Sequence, residues 1–270
     1  MSSSSLAPAA QNRAWRGSSL ITQVLVLTGR SLRSVLLDPK NLLFTLLTPL
    51  MMLLLFSQVF ANVANTPGFP KGVSYINFLM PATLVTTALS AAMTAGVGFV
   101  NDLRNGVLAR FRALPINGGS VLAARSLADL VRSAVQLIIM IIAAVALFGF
   151  TPKGFGVVGA LLLALVVGWG LGWLFLAVAT WMRNPETLQM FTFLAMFPLM
   201  FGSSAYMPLD GLPGWMQVVA TVNPLTYAID ASRELTLQGT LSSTAFTSVG
   251  ISLVIAAGGM VFAAKGFRRQ

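Results

Sequence analysis

Residues Asn101–Ser126 read NDLRNGVLARFRALPINGGSVLAARS, and the reading of this stretch decides the fold. It is a charged break in an otherwise apolar chain, with Arg104, Arg110, Arg112 and Arg125 set against one acid, Asp102. Leu103, Val107, Phe111 and Leu114 recur at spacings of four, four and three, which puts them on one face of a helix. Arg104, Asn105 and Arg112 fall on other faces. Pro115 and then Asn117-Gly118-Gly119 end the pattern. The expectation is a short amphipathic helix that lies on a membrane surface or docks into a soluble partner.

Composition supplies the membrane. Of 270 residues, 56% are hydrophobic and 9% charged, where soluble domains carry about 25% charged residues. Mean hydropathy is +0.81. Six apolar runs long enough to span follow an N-terminal region. They are expected at about 41–60, 77–100, 133–150, 155–181, 187–206 and 245–264, none of them containing Asp, Glu, Lys or Arg. The fold class expected is an all-α polytopic membrane protein. Residues 1–19 read as a disordered tail and 20–38 as an interfacial helix, with Ile21, Val24, Leu25, Leu32, Val35 and Leu36 against Arg30, Arg33 and Asp38. The transmembrane domain is expected over 20–264 and a second tail over 265–270.

Basic residues orient the chain. With the N-terminus inside, fourteen of the seventeen Lys and Arg residues face the cytoplasm, and only Lys71, Lys153 and Arg233 lie outside. Both termini and the Asn101–Ser126 stretch are then cytoplasmic. The net charge of +10 fits orientation and anionic lipid rather than nucleic acid.

The chain lacks cysteine and histidine, which removes thiol and imidazole chemistry and most zinc or haem sites. The spans carry no carboxylate relay for ion coupling. A phosphate-binding P-loop needs a lysine followed by Ser or Thr. The four lysines here precede Asn41, Gly72, Gly154 and Gly266. No catalytic residues, metal ligands or cofactor are therefore expected in this chain. Uphill transport would draw its energy from another chain, and the cytoplasmic amphipathic helix is the element suited to receive it.

Three further patterns stand out. Thr83, Thr87, Ser90 and Thr94 form a hydroxyl stripe on span two, either bonding back to their own backbone and packing helices or forming a mildly polar wall of a path. Phe193, Phe197 and Phe201 form an aromatic stripe on span five, with Met190, Met196, Met200 and Pro198 nearby, a surface for lipid, for another helix or for apolar ligands. Beyond span five, Leu212, Trp215, Met216 and Val219 mark a short helix capped by Asp210 or Gly211, with Pro213 in its first turn. Asn223 and Pro224 then open a second helix that runs to about Gln238 and stops at Gly239, with Asp230 and Arg233 spaced to pair. These two helices form an outer lid or gate that includes Trp215, Asn223, Pro224, Tyr227, Asp230 and Arg233. In span four, Gly168 and Gly172 suit close helix contact.

These features together resemble the membrane-spanning subunit of type-2 ABC exporters, in the daunorubicin-resistance permease branch. One motif is Asp102 through Arg125, with Gly106-Val107-Leu108, Arg110, Leu114-Pro115 and Ala124-Arg125, similar to the family's cytoplasmic coupling helix. The other is Leu212-Pro213 followed by Asn223-Pro224-Leu225-Thr226-Tyr227, Asp230 and Arg233, similar to its external segment. The resemblance implies an efflux permease of a bacterial cytoplasmic membrane. It implies two separate ATPase subunits carrying ATP and Mg, coupled through Asp102, Leu103, Arg104, Gly106, Val107, Arg110, Phe111, Arg112, Leu114 and Pro115. It also implies a second permease, a copy or a sister, and a path faced by spans two and five. The implied cargo is an amphiphilic drug, antibiotic or lipid. A polysaccharide or glycolipid cargo, or a non-transporting scaffold or sensor, are the alternatives.

Overall fold

The computed structural model describes residues 22, 26, 28–29, 39–65, 69–104, 118–182 and 184–268, with no strand among them. Most of the expected interfacial helix, the tail over 1–19, residues 105–117 of the coupling stretch and Arg183 lie outside the described residues.

Asp38-Pro39 punctuates the sequence where expected, and α1 starts there, Pro39–Val59, followed by a 3-10 turn, Ala61–Asn65. Proline suits a first helical residue because its missing N–H would have no partner there. The long helices are α2 (Tyr75–Arg104), α3 (Gly118–Phe148) and α4 (Gly156–Met182). Then come α5 (Pro185–Phe201), the short α6 (Gly214–Val222) and α7 (Pro224–Arg233), a π-helical turn (Glu234–Gln238), and α8 (Ser243–Arg268). Each expected span coincides with a helix. Of these, α2, α3, α4 and α8 are long and apolar enough to cross a membrane.

Two boundaries differ from the expectation, each for a physical reason. The sequence places the start of the third span at Ser133, yet α3 begins at Gly118. The charges that suggest a span end, Arg125, Asp129 and Arg132, pair with one another, so the helix runs through them. The sequence carries the fifth span to Tyr206, yet α5 stops at Phe201 with Gly202 N–H bonded to Pro198 O. Its 17 residues measure about 25 Å, less than a ~30 Å hydrocarbon core. Buried, non-helical backbone at Gly202–Ala205 continues from it, which membranes tolerate only where protein satisfies the freed polar groups.

The helices pack around α2, which touches α1, α3, α4, α5 and α7, while α4 lies between α2 and α8. Burying apolar side chains gains little against lipid, so close backbone approach carries the packing. A Cβ on Gly168 would lie 2.9 Å from the Ala88 side chain of α2, and one on Gly170 would lie 2.5 Å from Ser252 O of α8. Gly168 thus makes the expected close contact. Gly172 does not: nothing comes within 4 Å of its Cβ position. Residues two apart point to nearly opposite sides of a helix, so Gly168 and Gly170 serve the two neighbours that flank α4. Gly170→Ala should therefore destabilise the protein by about 1–3 kcal/mol. Gly172→Ala should be neutral or slightly stabilising, and thermal unfolding of the two purified variants reads the difference.

Candidate functional site: a cleft with an inner clasp and an outer lock

At the inner end, the last turn of α2 meets the first turns of α3. Arg125 lies between two acids, paired with Asp102 of α2 and, at 3.0 Å, with Asp129 one turn along its own helix. Arg132 reaches Asp129 at 3.6 Å and donates to Ala91 O of α2 at 3.4 Å. The side chains are 18–40% exposed, half-shielded from water. The clasp thus joins the two ends of the 105–117 connection. Thr28, buried, donates to Ala124 O nearby. Of the expected coupling residues, Asp102, Leu103 and Arg104 are described. Leu103 packs on the inner core of Phe99, Val100 and Leu122, and Arg104 is exposed. Gly106, Val107, Arg110, Phe111, Arg112, Leu114 and Pro115 lie outside the described residues.

In the middle, α1, α2 and α5 stand apart around a cleft of about 280 Å³. Its α2 wall holds Thr83, Thr86, Thr87, Ser90 and Thr94; α1 contributes Thr48, Met52 and Phe56, and α5 Met196 and Met200, with Gln136 and Tyr206 closing the sides. No charged side chain among the described residues lines it. The expected hydroxyl stripe is therefore on the cleft, and Thr83, Ser90 and Thr94 also bond back to their own helix backbone. Thr83 and Thr87 are the deeper pair; Thr86, Ser90 and Thr94, four residues apart, are the accessible line. The expected Phe stripe is not on the cleft. Phe193, Phe197 and Phe201 stack along the outer face of α5, 49–63% exposed for the first two, and continue into Tyr206. A helix turns about 100° per residue, so Met196 and Met200 face the cleft while the phenylalanines face away from it.

At the outer end, the non-helical segment after α5 presents carbonyls that need donors. Asn223 and Arg233 supply them. Asn223 accepts from Leu225 N–H, capping α7, while its amide donates to Leu199 O and Gly202 O, both at 2.8 Å. Arg233 is buried. It donates to Phe78 O (3.0 Å), Ser204 O (2.5 Å) and Ala205 O (2.9 Å), pairs with Asp230 (3.1 Å), and its guanidinium lies 3.6 Å over the Phe78 ring. Asp230 also accepts from Ser204 Oγ at 2.6 Å. Burial pulls the Arg233 guanidinium down to about 10 and Asp230 pulls it back up, so it stays charged at neutral pH. This lock ties α2, the end of α5 and α7 together at one point. Gly239 at φ +74 stops the second outer helix, as expected.

The other expected outer residues divide. Pro224 takes the first position of α7, and Tyr227 donates to Thr221 O at 2.7 Å on the rim of a wide outer depression of about 740 Å³. Trp215 joins neither lock nor cleft; it is 70% exposed on α6. Pro213 occupies the position before that helix and gives it no side-chain cap, while Asp210 and Gly211 belong to the preceding 3-10 turn Leu209–Gly211. Asn223→Ala removes a cap and two carbonyl donors. It should cost about 2 kcal/mol and lower the thermal midpoint by roughly 5 °C, measured by unfolding in detergent.

Residues 22–237 match the family described as ABC-2 type transporter. The chain belongs to the ABC-2 type transporter family. It is 32% identical over 222 residues to the daunorubicin resistance ABC transporter permease protein DrrB1 of Streptomyces coeruleorubidus, covering 82% of this chain and 75% of that protein. It is 28% identical to the putative transport permease ycf38 of Pyropia yezoensis, over 80% of this chain and 75% of the relative. It is 24% identical to the probable doxorubicin resistance ABC transporter permease protein DrrC of Mycobacterium tuberculosis, over 83% and 80%. This ABC-2 protein is thus a multi-pass membrane permease of an ABC transporter, a transport subunit and not an enzyme, within the drug-resistance permease branch. The match spans the inner clasp, the cleft and the outer lock.

The residues that sequence reasoning missed are Thr86, Gln136, Arg125 as a clasp centre, Asp129, Arg132, Phe78 and Ser204. Asp129 carried a usable signal: it sits four residues after Arg125 and three before Arg132, the spacing of helical ion pairs.

Proposed function

We propose that this permease forms the membrane half of an ATP-driven exporter that carries an amphiphilic drug, antibiotic or lipid outward across a bacterial cytoplasmic membrane. The observation that carries the reading is the uncharged cleft between α1, α2 and α5, whose hydroxyls, methionines and aromatic rings suit a molecule with an apolar body and a few polar groups. The names of the relatives, daunorubicin and doxorubicin resistance permeases, favour that class of cargo. ATP and Mg reside on a separate ATPase subunit, which docks on the cytoplasmic 101–126 stretch. Both termini share that side. A second permease, a copy of this chain or a sister, completes the path against the exposed Phe193–Phe197–Phe201 ladder. ATP-driven closure of the partner subunits moves the connection, and the clasp passes the movement to α2 and α3 together.

Tagged permease purified from its native membrane should bring down an ATPase subunit, and Phe111→Asp should reduce that recovery at least tenfold and stop ATP-dependent doxorubicin uptake into inverted vesicles. Unchanged recovery and uptake in the variant would remove the coupling role of this stretch. A wild-type complex whose ATPase activity no amphiphile stimulates would instead indicate a scaffold.

A further inference from the structure

The cleft wall on α2 has a polarity of its own. Thr83 Oγ1 lies 2.9 Å from Leu79 O, Thr86 Oγ1 3.2 Å from Thr83 O, Ser90 Oγ 3.0 Å from Thr86 O, and Thr94 Oγ1 2.9 Å from Ser90 O. A carbonyl only accepts, so in every one of these bonds the hydroxyl gives up its single proton. The proton of Thr87 points to the Met140 sulfur at 3.3 Å. Each hydroxyl then keeps lone pairs and has no proton left to offer. Along the accessible line of Thr86, Ser90 and Thr94, the wall is a row of acceptors one helical turn apart. Facing it are Met52, Met196 and Met200, weak acceptors on an apolar surface, and the Phe56 ring, while the Gln136 amide and the Thr48 and Tyr206 hydroxyls, which can donate, stand on the other sides of the cleft.

We propose that this cleft selects hydrogen-bond-donating amphiphiles: an apolar, ring-sized body that carries a hydroxyl, amine or ammonium group to the α2 wall. A ligand bearing only acceptors, such as an ether or ester, leaves the α2 wall unsatisfied and must turn to the donors on the other sides of the cleft, such as Gln136 and Tyr206. The volume of about 280 Å³ holds a few fused rings, and larger molecules enter by one end. No acid among the described residues lines the cleft, so a neutral donor meets the α2 wall without leaving a charge uncompensated. This rests on the reading of the cleft as the cargo path, and it adds the chemical class of what the path takes.

The test uses two probes of nearly equal shape, 2-naphthol, which donates, and 2-methoxynaphthalene, which does not. Equilibrium dialysis against the full-length permease in lipid nanodiscs, corrected with empty nanodiscs, measures each affinity without ATP or a partner. One neutral hydrogen bond corresponds to about fivefold in affinity, so 2-naphthol should bind about fivefold more tightly. In the variant carrying Thr86→Val, Ser90→Ala and Thr94→Val, the ratio should fall to about one while 2-methoxynaphthalene binds as well as before or better. Ser90→Ala alone, the least disruptive change, should lower the ratio part-way. Equal affinities in the wild type, or a ratio that survives all three substitutions, would overturn the proposal. The readout is separate from transport. Donor selectivity in a permease that moves no substrate would sink the export reading alone, and transport by a permease without the selectivity would sink this inference alone.

Discussion

Arg233→Met should lower the thermal midpoint of the purified permease by roughly 10 °C and abolish transport. The arginine is buried and donates to the buried carbonyls of Phe78, Ser204 and Ala205 and to the carboxylate of Asp230, whose side chain is 32% exposed. Methionine fills much of the volume but returns none of these bonds. Each buried carbonyl left without its donor costs about 1–3 kcal/mol, more in sum than the partly exposed pair with Asp230, and for a chain of this size each kcal/mol shifts the midpoint by about 2–4 °C. Burial raises the Asp230 carboxyl, while Ser204 and Arg233 hold it down; without Arg233 the acid gives up its charge more readily. Arg233→Lys should not restore the wild type, because one ammonium cannot replace a planar fork that serves carbonyls on two segments. Unfolding curves in detergent, set beside vesicle uptake, check both statements. A Met variant as stable as the wild type would remove the lock from the account of this fold.

Arg125→Ala should leave the protein folded but reduce the substrate moved per ATP hydrolysed by about tenfold. Arg125 bridges Asp102 at the end of α2 and Asp129 near the start of α3, so it ties together the two helix ends that flank residues 105–117. Because these groups are partly exposed, their loss costs less than a buried pair, about 1–3 kcal/mol, too little to unfold the helix bundle. On the proposed coupling role its consequence falls on transport, because α2 is freed from α3 at the end proposed to receive the push. Exchanging the charges, Asp102→Arg with Arg125→Asp, should recover part of the ratio, although the carboxylate placed on α3 would then face Asp129 and the recovery stays incomplete. Adding Asp129→Asn removes that repulsion and should raise it further. The measurement is vesicle uptake divided by ATP hydrolysis in the same sample. An unchanged ratio in Arg125→Ala would show that the clasp holds the helices without transmitting anything.

Much of this molecule was legible in its sequence because a membrane enforces simple rules. An apolar run must be a helix, since the bilayer offers backbone groups no other partner, and all six runs coincide with helices. Local chemistry was legible too: Asn223 and Pro224 start α7, Gly239 stops the turn after it, and Asp230 and Arg233 pair at a spacing of three. Two features were not. The sequence starts the third span at Ser133 because charge is costly in lipid, whereas α3 runs through Arg125, Asp129 and Arg132, which pair. The Phe stripe lies off the cleft, exposed on α5, because periodicity identifies a face without saying what that face meets.

The amphipathic stretch at Asn101–Ser126 marks the same division. Its spacing and its arginines, with the apolar runs on either side, pointed by themselves to a polytopic membrane protein with an amphipathic break between two spans. Those are properties of composition and local pattern, and no partner residue is needed to read them. The tertiary structure decided which pairs close. Arg125 takes Asp102 across 23 positions, Arg233 takes Phe78 O across 155, and the α2 hydroxyls come to share a cleft with Met196 and Met200 of α5. Charges and lone pairs act over a few ångströms, and residues far apart in the chain come that close only when the helices pack.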